Sequence, residues 1–453
     1  MMNMFLNFIA SYALKKTMKN KPMTTLALVF SLWSLFVGTG CKPETPPDPP
    51  QPPDTDTFVV HPQAEVRWTT HYTDDKKYAK KGIICDDLIV FMIYETGNGF
   101  VDRLLALDKH TGDTAWTWDK GANFMGYLTH AEQTVYFYDG YNAIVYALDA
   151  LTGEERWNWT EPDCRDINGL IVADGRVYVG AHYGYHGLRG MHHTNLTALD
   201  AQTGSPTVIH RFVTPDRNNN TLTLYDPQAW YNAQGDLILA YSGSDYNEDN
   251  GPTSTENYIA YNITADSIYF EHRHYWPTTA AGRGGINVIG DKYVFTNTLS
   301  NETRKIACMD LATQTIDWET TIPANLFTGG VRFQEIGNYW VSNSGNFGIT
   351  YGIDPASGKL LWHSKAFGGQ SQKPEFYGGY GWNRASPYIL AFDPATGTIR
   401  YQFENKDLHE DIFLAIKNGS SNRGGYSSFT IDPTTGCVYT CGENRFTCFQ
   451  FIE

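Results

Sequence analysis

Three groups of residues have the types and spacing to do chemistry. Four histidines, His182, His186, His192 and His193, fall within twelve residues beside Tyr183, Tyr185 and Arg189. Clustered imidazoles suit a transition metal, but this spacing matches no zinc pattern, and Gly184, Gly187 and Gly190 leave the ligand geometry unspecified. A Tyr/His/Arg contact surface is the alternative. In the second group, Asp245, Asn247, Asp249 and Glu256 place oxygen ligands at positions 1, 3, 5 and 12 of one stretch, the spacing of a calcium loop. Its sixth residue is Asn250 where such loops need glycine, so a solvated acidic loop stands beside calcium as a reading. The third group is a set of recurring aspartates, Asp108, Asp149, Asp200, Asp310, Asp354 and Asp393. Carboxylates invite acid–base chemistry, but repetition in one local context marks these as turn residues.

That context is Ala-x-Asp-x-x-Thr-Gly-x-x-x-Trp, complete at Ala106–Trp116 and Ala147–Trp157 and degenerate around Asp200, Asn262, Asp310, Asp354 and Asp393. Each copy follows a short β-rich segment such as Arg176–Val179, so the pattern falls on a hairpin. The aspartate accepts backbone N–H bonds, the glycine supplies positive φ, and the tryptophan starts an outer strand that packs between units. Short strands recurring in groups of four predict an all-β propeller with four-stranded antiparallel blades. The ends fix the count. Val66-Arg67-Trp68 is an outer strand with no hairpin before it, and Val438–Phe449 is a hairpin with no outer strand after it. Together they make an eighth blade and close the ring; seven blades is the alternative if the copy at Asn262 is an insertion.

The innermost strand of each blade starts near the central channel, so the residues before these strands form a ring. It is predicted at Lys81-Gly82, 123–126, 166–169, 226–228, 283–285, 328–330, Gln372-Lys373 and 423–425. Lys81, Arg283, Lys373 and Arg423 would offer donors to an anionic or polar ligand there, with Asn168 and Gln228 orienting it. The bland reading is that glycine recurs so that strands can converge.

The repeat resembles that of the pyrroloquinoline-quinone (PQQ) type propellers over nearly all of residues 60–453. That family implies one of two functions. Methanol-dehydrogenase-like members hold the quinone and calcium, whereas the propeller lipoprotein of the outer-membrane β-barrel assembly machinery is a scaffold without quinone. The enzymes' disulfide between adjacent cysteines has no counterpart, because the sequence contains no Cys-Cys pair. A fold does not confer a function. The expectation is therefore a non-catalytic scaffold that binds a protein or glycan and carries no PQQ. The alternative is a PQQ-dependent periplasmic dehydrogenase of alcohols or sugars.

Residues 1–40 read as a signal peptide, with Lys15, Lys16, Lys19 and Lys21 ahead of the apolar run Leu26–Val37. Val37–Cys41 resembles a lipobox, making Cys41 the lipidation site. Residues 41–58 are a proline-rich tether, and 59–453 the propeller. The expected place is the outer membrane, on its periplasmic or outer face, as a monomer touching the membrane only through its lipid. A net charge of −15 excludes nucleic acid as the main partner. Cys437, Cys441 and Cys448 lie close together without zinc-ribbon spacing, which leaves a hairpin disulfide or buried thiols.

Overall fold

The computed structural model describes residues 64–71, 77–79, 82–95, 101–120, 128–140, 142–161, 163–183, 193–213, 222–245, 255–275, 288–298, 303–323, 333–344, 349–364, 374–385, 388–404, 428–441 and 445–451. Among them there is no helix; all regular structure is antiparallel strand, in eight separate sheets. Blade 1 holds Lys77–Ala79 with Ile83–Cys85, Leu88–Glu95, Val101–Asp108 and Thr114–Trp118. Blade 2 holds Thr129–Ala131, Thr134–Asp139, Ile144–Asp149 and Glu155–Thr160. Blade 3 is Cys164–Ala173, Arg176–Tyr183, His193–Asp200 and Pro206–Val213, and blade 4 is Leu222–Tyr231, Leu237–Asp245, Thr255–Asn262 and Ser267–Tyr275. Blade 5 is Val288–Ile289, Lys292–Thr298, Thr303–Asp310 and Thr315–Pro323; blade 6 is Phe333–Ile336, Tyr339–Ser344, Ile349–Ile353 and Leu360–Ser364. Blade 7 is Glu375–Tyr377, Tyr380–Ala385, Tyr388–Phe392 and Ile399–Glu404. Blade 8 takes Ser428–Ile431, Cys437–Cys441 and Arg445–Phe451 from the C-terminus and Ala64–His71 from the N-terminus.

This is an eight-bladed β-propeller. The copy at Asn262 ends the third strand of blade 4, and its side-chain oxygen accepts a bond from Ala265 N at 2.8 Å, as a turn residue should. Seven blades is thereby ruled out. Among the described residues the core consists of eight apolar layers, each shared by two successive blades. The layer of Trp68, Tyr439 and Cys448 with Ile89 and Phe91 joins blade 8 to blade 1 and completes the circle.

The repeat explains how those layers are fastened. Asp108 Oδ1 accepts from His110 N at 2.8 Å and Thr111 N at 2.9 Å, and Asp149 and Asp200 cap their turns in the same way. In blade 3 the fourth strand slips register at Ile209, ahead of His210; in the other seven blades the slip comes two residues earlier, at the residue before the aromatic position, a bulge that re-aims the side chain toward the next blade. There the indole N–H reaches the carbonyl one residue past the turn's aspartate. Trp68 donates to Lys109 O at 2.9 Å, Trp116 to Ala150 O at 2.9 Å and Trp157 to Ala201 O at 3.0 Å. Trp318 donates to Pro355 O and Trp362 to Pro394 O, both at 2.8 Å. The turn glycine lies flat on that ring: at Gly153, with φ of 72°, a Cβ would stand 2.7 Å from Trp116.

Closure adds polar contacts. Lys109 Nζ lies 3.4 Å from Asp432 Oδ2, and Thr430 Oγ1 donates to Gly82 O at 2.9 Å. Asp432 belongs to an eighth copy of the turn, Thr430-x-Asp432-x-x-Thr435-Gly436, which the sequence pattern did not reveal. It caps the hairpin between the first and second strands of blade 8, whereas the other copies cap the hairpin before the fourth strand.

Candidate functional site

Blades 3 and 4 are the two in which all four strands reach eight residues, with first strands of ten. Their aspartate- or asparagine-capped turns hold one end level with the rest, so the extra length projects at the opposite, loop-bearing end. A strand advances about 3.3 Å per residue, so this wall stands roughly 7–10 Å taller than the six-residue second strands of blades 2, 6 and 7, while the eight-residue second strand of blade 1 reaches as far as that of blade 3.

At the top of blade 3, Tyr183 and His193 are direct cross-strand partners whose rings stack at 4.5 Å and 7°. One pair lower, His182 faces Thr194, with Nδ1 3.2 Å from Thr194 Oγ1. Below that, Arg211 Nε donates to Asn195 Oδ1 at 3.3 Å. Successive pairs face opposite sides of a sheet, so His182 points away from His193. Burial, reinforced by the Glu161 carboxylate beside it, pushes the Tyr183 phenol well above its ordinary pKa. Between blades 3 and 4, His210 packs on Phe212 at 4.5 Å and Tyr261 at 4.8 Å, and burial holds its imidazole below the usual pKa.

The histidine-rich segment is therefore divided. His182, Tyr183 and His193 are ladder residues, while Tyr185, His186, Arg189 and His192 lie outside the described residues. Of the calcium set, Asp245 ends a strand opposite Thr255, and Glu256 sits opposite Ser244; Asn247 and Asp249 lie outside the described residues. The ladder thus runs into both ends of that stretch and leaves residues 246–254 as the connection. No group of three His, Cys, Asp or Glu suited to a metal occurs among the described residues.

Two of the first strands start earlier than the repeat predicts. Asn168 and Gln228 do not precede the first strands of blades 3 and 4 but lie inside them, where the register shifts between Ile167 and Leu170 and between Tyr225 and Gln228. These strands begin earlier than the repeat suggests because a bulge lets pairing continue past an irregularity. Gly169 N there donates to Tyr138 Oη of blade 2 at 3.1 Å. Lys81, Arg283, Lys373, Arg423 and Cys41 lie outside the described residues, as do residues 1–63.

Aromatics in the glycine-rich or inserted segments are mostly packed. Trp382 and Tyr183 are buried, and half-buried Trp230 donates its indole N–H to Asp291 Oδ1 of blade 5 at 2.8 Å. The six cysteines of the strands are reduced thiols spread over blades 1, 3, 5 and 8. This set does not fit the adjacent pair that the resemblance implies for a quinone.

The family described as outer membrane protein assembly factor BamB matches residues 92–320, half of the chain. Among solved structures, BamB from Moraxella catarrhalis is 13% identical, with 88% of this chain and 95% of that chain covered at a TM-score of 0.43. A europium-containing methanol dehydrogenase is 11% identical, with 83% and 84% covered at a TM-score of 0.51. At that identity the likeness to the dehydrogenase extends to the fold alone. No curated protein matches the chain significantly.

Proposed function

Because the chain belongs to the family described as outer membrane protein assembly factor BamB, we propose that it is a non-catalytic scaffold of the cell envelope. Its blade 3 and 4 wall meets a protein or glycan, and a lipid on Cys41 with the proline-rich tether holds it at the outer membrane. It works as a monomer. One observation carries this reading: the repeated residues that look chemical are consumed in building the ring. The aspartates cap turns and the indoles bind the next blade's carbonyls, so conspicuous carboxylates serve rigidity. A rigid ring with long-stranded blades beside shorter ones suits presentation of loops.

The test is capture of partners from native envelopes by the full chain, beside a variant whose residues 184–192 are replaced by a Gly/Ser linker. The expected result is an envelope partner retained by the first and lost by the second, with unchanged melting. Equal capture by both, or dye-linked alcohol oxidation after addition of PQQ, would overturn the scaffold reading. Calcium held by Asp245, Asn247, Asp249 and Glu256 would order the same wall, supported by the ladder that brings both ends of that loop together. Melting that rises with calcium and falls with chelator is its expected signature; unchanged melting leaves a solvated loop.

A further inference from the structure

In blade 8 the ladder pairs Cys437 with Gln450 and Tyr439 with Cys448. Cys437 and Cys448 are therefore diagonal neighbours on one face of the ribbon. Both join the apolar layer toward blade 1, with Trp68 and Tyr439. Diagonal partners stand about 7–8 Å apart at Cα in a flat ladder, and the twist of a two-stranded ribbon draws one diagonal closer. The two thiols are near enough that Cys437 acts on Cys448, which burial already pushes well above the ordinary thiol pKa. Cys441 lies on the other diagonal and donates its thiol to Ala79 O at 3.4 Å. It is engaged with blade 1.

We infer that Cys437 and Cys448 are a redox-active pair that forms a disulfide across the closing hairpin when the chain meets a disulfide oxidant. Half-buried Cys437 is the thiol that an oxidant reaches, whereas Cys448 is 1% exposed. The Cys437 thiolate attacks one sulfur of oxidised glutathione, forming a mixed disulfide and expelling one glutathione thiolate. Cys448 then attacks Cys437 Sγ, completing the protein disulfide and expelling the second. Both thiol protons pass to the two glutathiones, so the protein loses two hydrogens and one glutathione disulfide is reduced. The bond would tie the second strand of blade 8 to the third, which carries the N-terminal strand Ala64–His71. It restrains the hairpin on which ring closure depends.

The experiment treats the folded chain, with Cys41→Ser to remove the lipid site, with oxidised glutathione and then with a blocking alkylator before digestion. Trypsin cuts after Arg445, so residues 424–445 and 446–453 stay joined only through a disulfide from Cys448. The expected result is loss of two of six thiols, a joined peptide that separates on reduction, and melting raised by a few degrees. The joined peptide should persist in Cys441→Ser and vanish in Cys437→Ser. Fragment spectra of the unmutated chain place the bond even where a variant fails to fold. Six alkylated thiols after oxidation, or a bond placed at Cys441, would overturn the inference.

Discussion

Five junctions of the ring, from blade 8 through blade 3 and from blade 5 through blade 7, are fastened by an indole bonded to the next turn. Blade 7 presents Tyr401 to blade 8 instead, and the two junctions flanking blade 4 lack the indole bond as well. Val208, 51% exposed, stands where blade 3 should present tryptophan, and blade 4 presents Phe270, which packs on Tyr258 and Tyr293. Substitutes come from the first strand of blade 4: Trp230 donates to Asp291 of blade 5, and Tyr231 to Asp174 of blade 3. One geometric problem has two solutions. The repeated one fixes blades at their outer strands; the other fastens blade 4 at its inner strand, at the capped-turn end opposite the wall proposed for binding.

The comparison breaks first at tryptophan. Trp362→Ala removes a side chain 1% exposed and its bond to Pro394 O, and should cost about 3–5 kcal/mol in denaturant unfolding. Val208→Ala, at the equivalent place in blade 3, should change stability by less than about 0.5 kcal/mol. Similar losses would mean that the indole has no special place.

Next comes the glycine under the ring. Gly153→Ala sets a Cβ 2.7 Å from Trp116 and forces alanine to φ near 72°, while Gly175→Ala meets the strained φ of 67° with nothing within 4 Å. Left-handed alanine costs roughly 1–2 kcal/mol, and overpacking adds roughly 1–3 kcal/mol, at Gly153 only. Equal melting of the two variants would show that the ring contact is slack.

The closing ion pair should weigh less. Burial works to raise the pKa of Asp432, but bonds from Thr434 and the Lys109 cation outweigh it and hold the carboxyl below its ordinary value. Its stabilisation is present above that ordinary value and lost as pH falls through the depressed one. Lys109→Met should lower stability at neutral pH by roughly 1–3 kcal/mol and flatten the acid end of the stability–pH curve. A parallel curve would remove the clamp from the account of closure.

The smallest effect is at blade 5, whose turn receives no indole and has Gln314 in place of glycine. There Lys292 bonds Asp310 at 2.7 Å and, with Thr313 N, holds its carboxyl at about 2. This contribution fades as pH falls from near 4 through about 2. Lys292→Met should shift that fade upward and cost under about 1 kcal/mol at neutral pH, since the pair is partly exposed. An unaltered acid profile would leave Thr313 as sufficient.

The repeat was legible because Asp-x-x-Thr-Gly and a tryptophan eight residues after the aspartate each have one physical use, and the terminal fragments could only complete one another. Asp432 escaped because identical turn chemistry caps either hairpin of a blade, and spacing alone does not say which. The wall was legible as loops but not as strands: His182 and His193 look like one cluster in sequence, yet lie on opposite faces once Tyr183 pairs with His193. Trp230 and Trp382 sit beside polar or glycine-rich stretches, and a neighbouring blade or strand supplies their acceptors, Asp291 Oδ1 and Tyr377 O. Partners across a blade junction leave no local trace in the chain.

Native-state hydrogen exchange resolved by blade tests most directly whether indole bonds set the strength of each junction. If they do, amides of Thr114–Trp118, Glu155–Thr160 and Leu360–Ser364 exchange more slowly than those of Pro206–Val213 and Ser267–Tyr275, and Trp362→Ala releases Leu360–Ser364 to the faster class. Equal protection of all five strands, unchanged by Trp362→Ala, would contradict it.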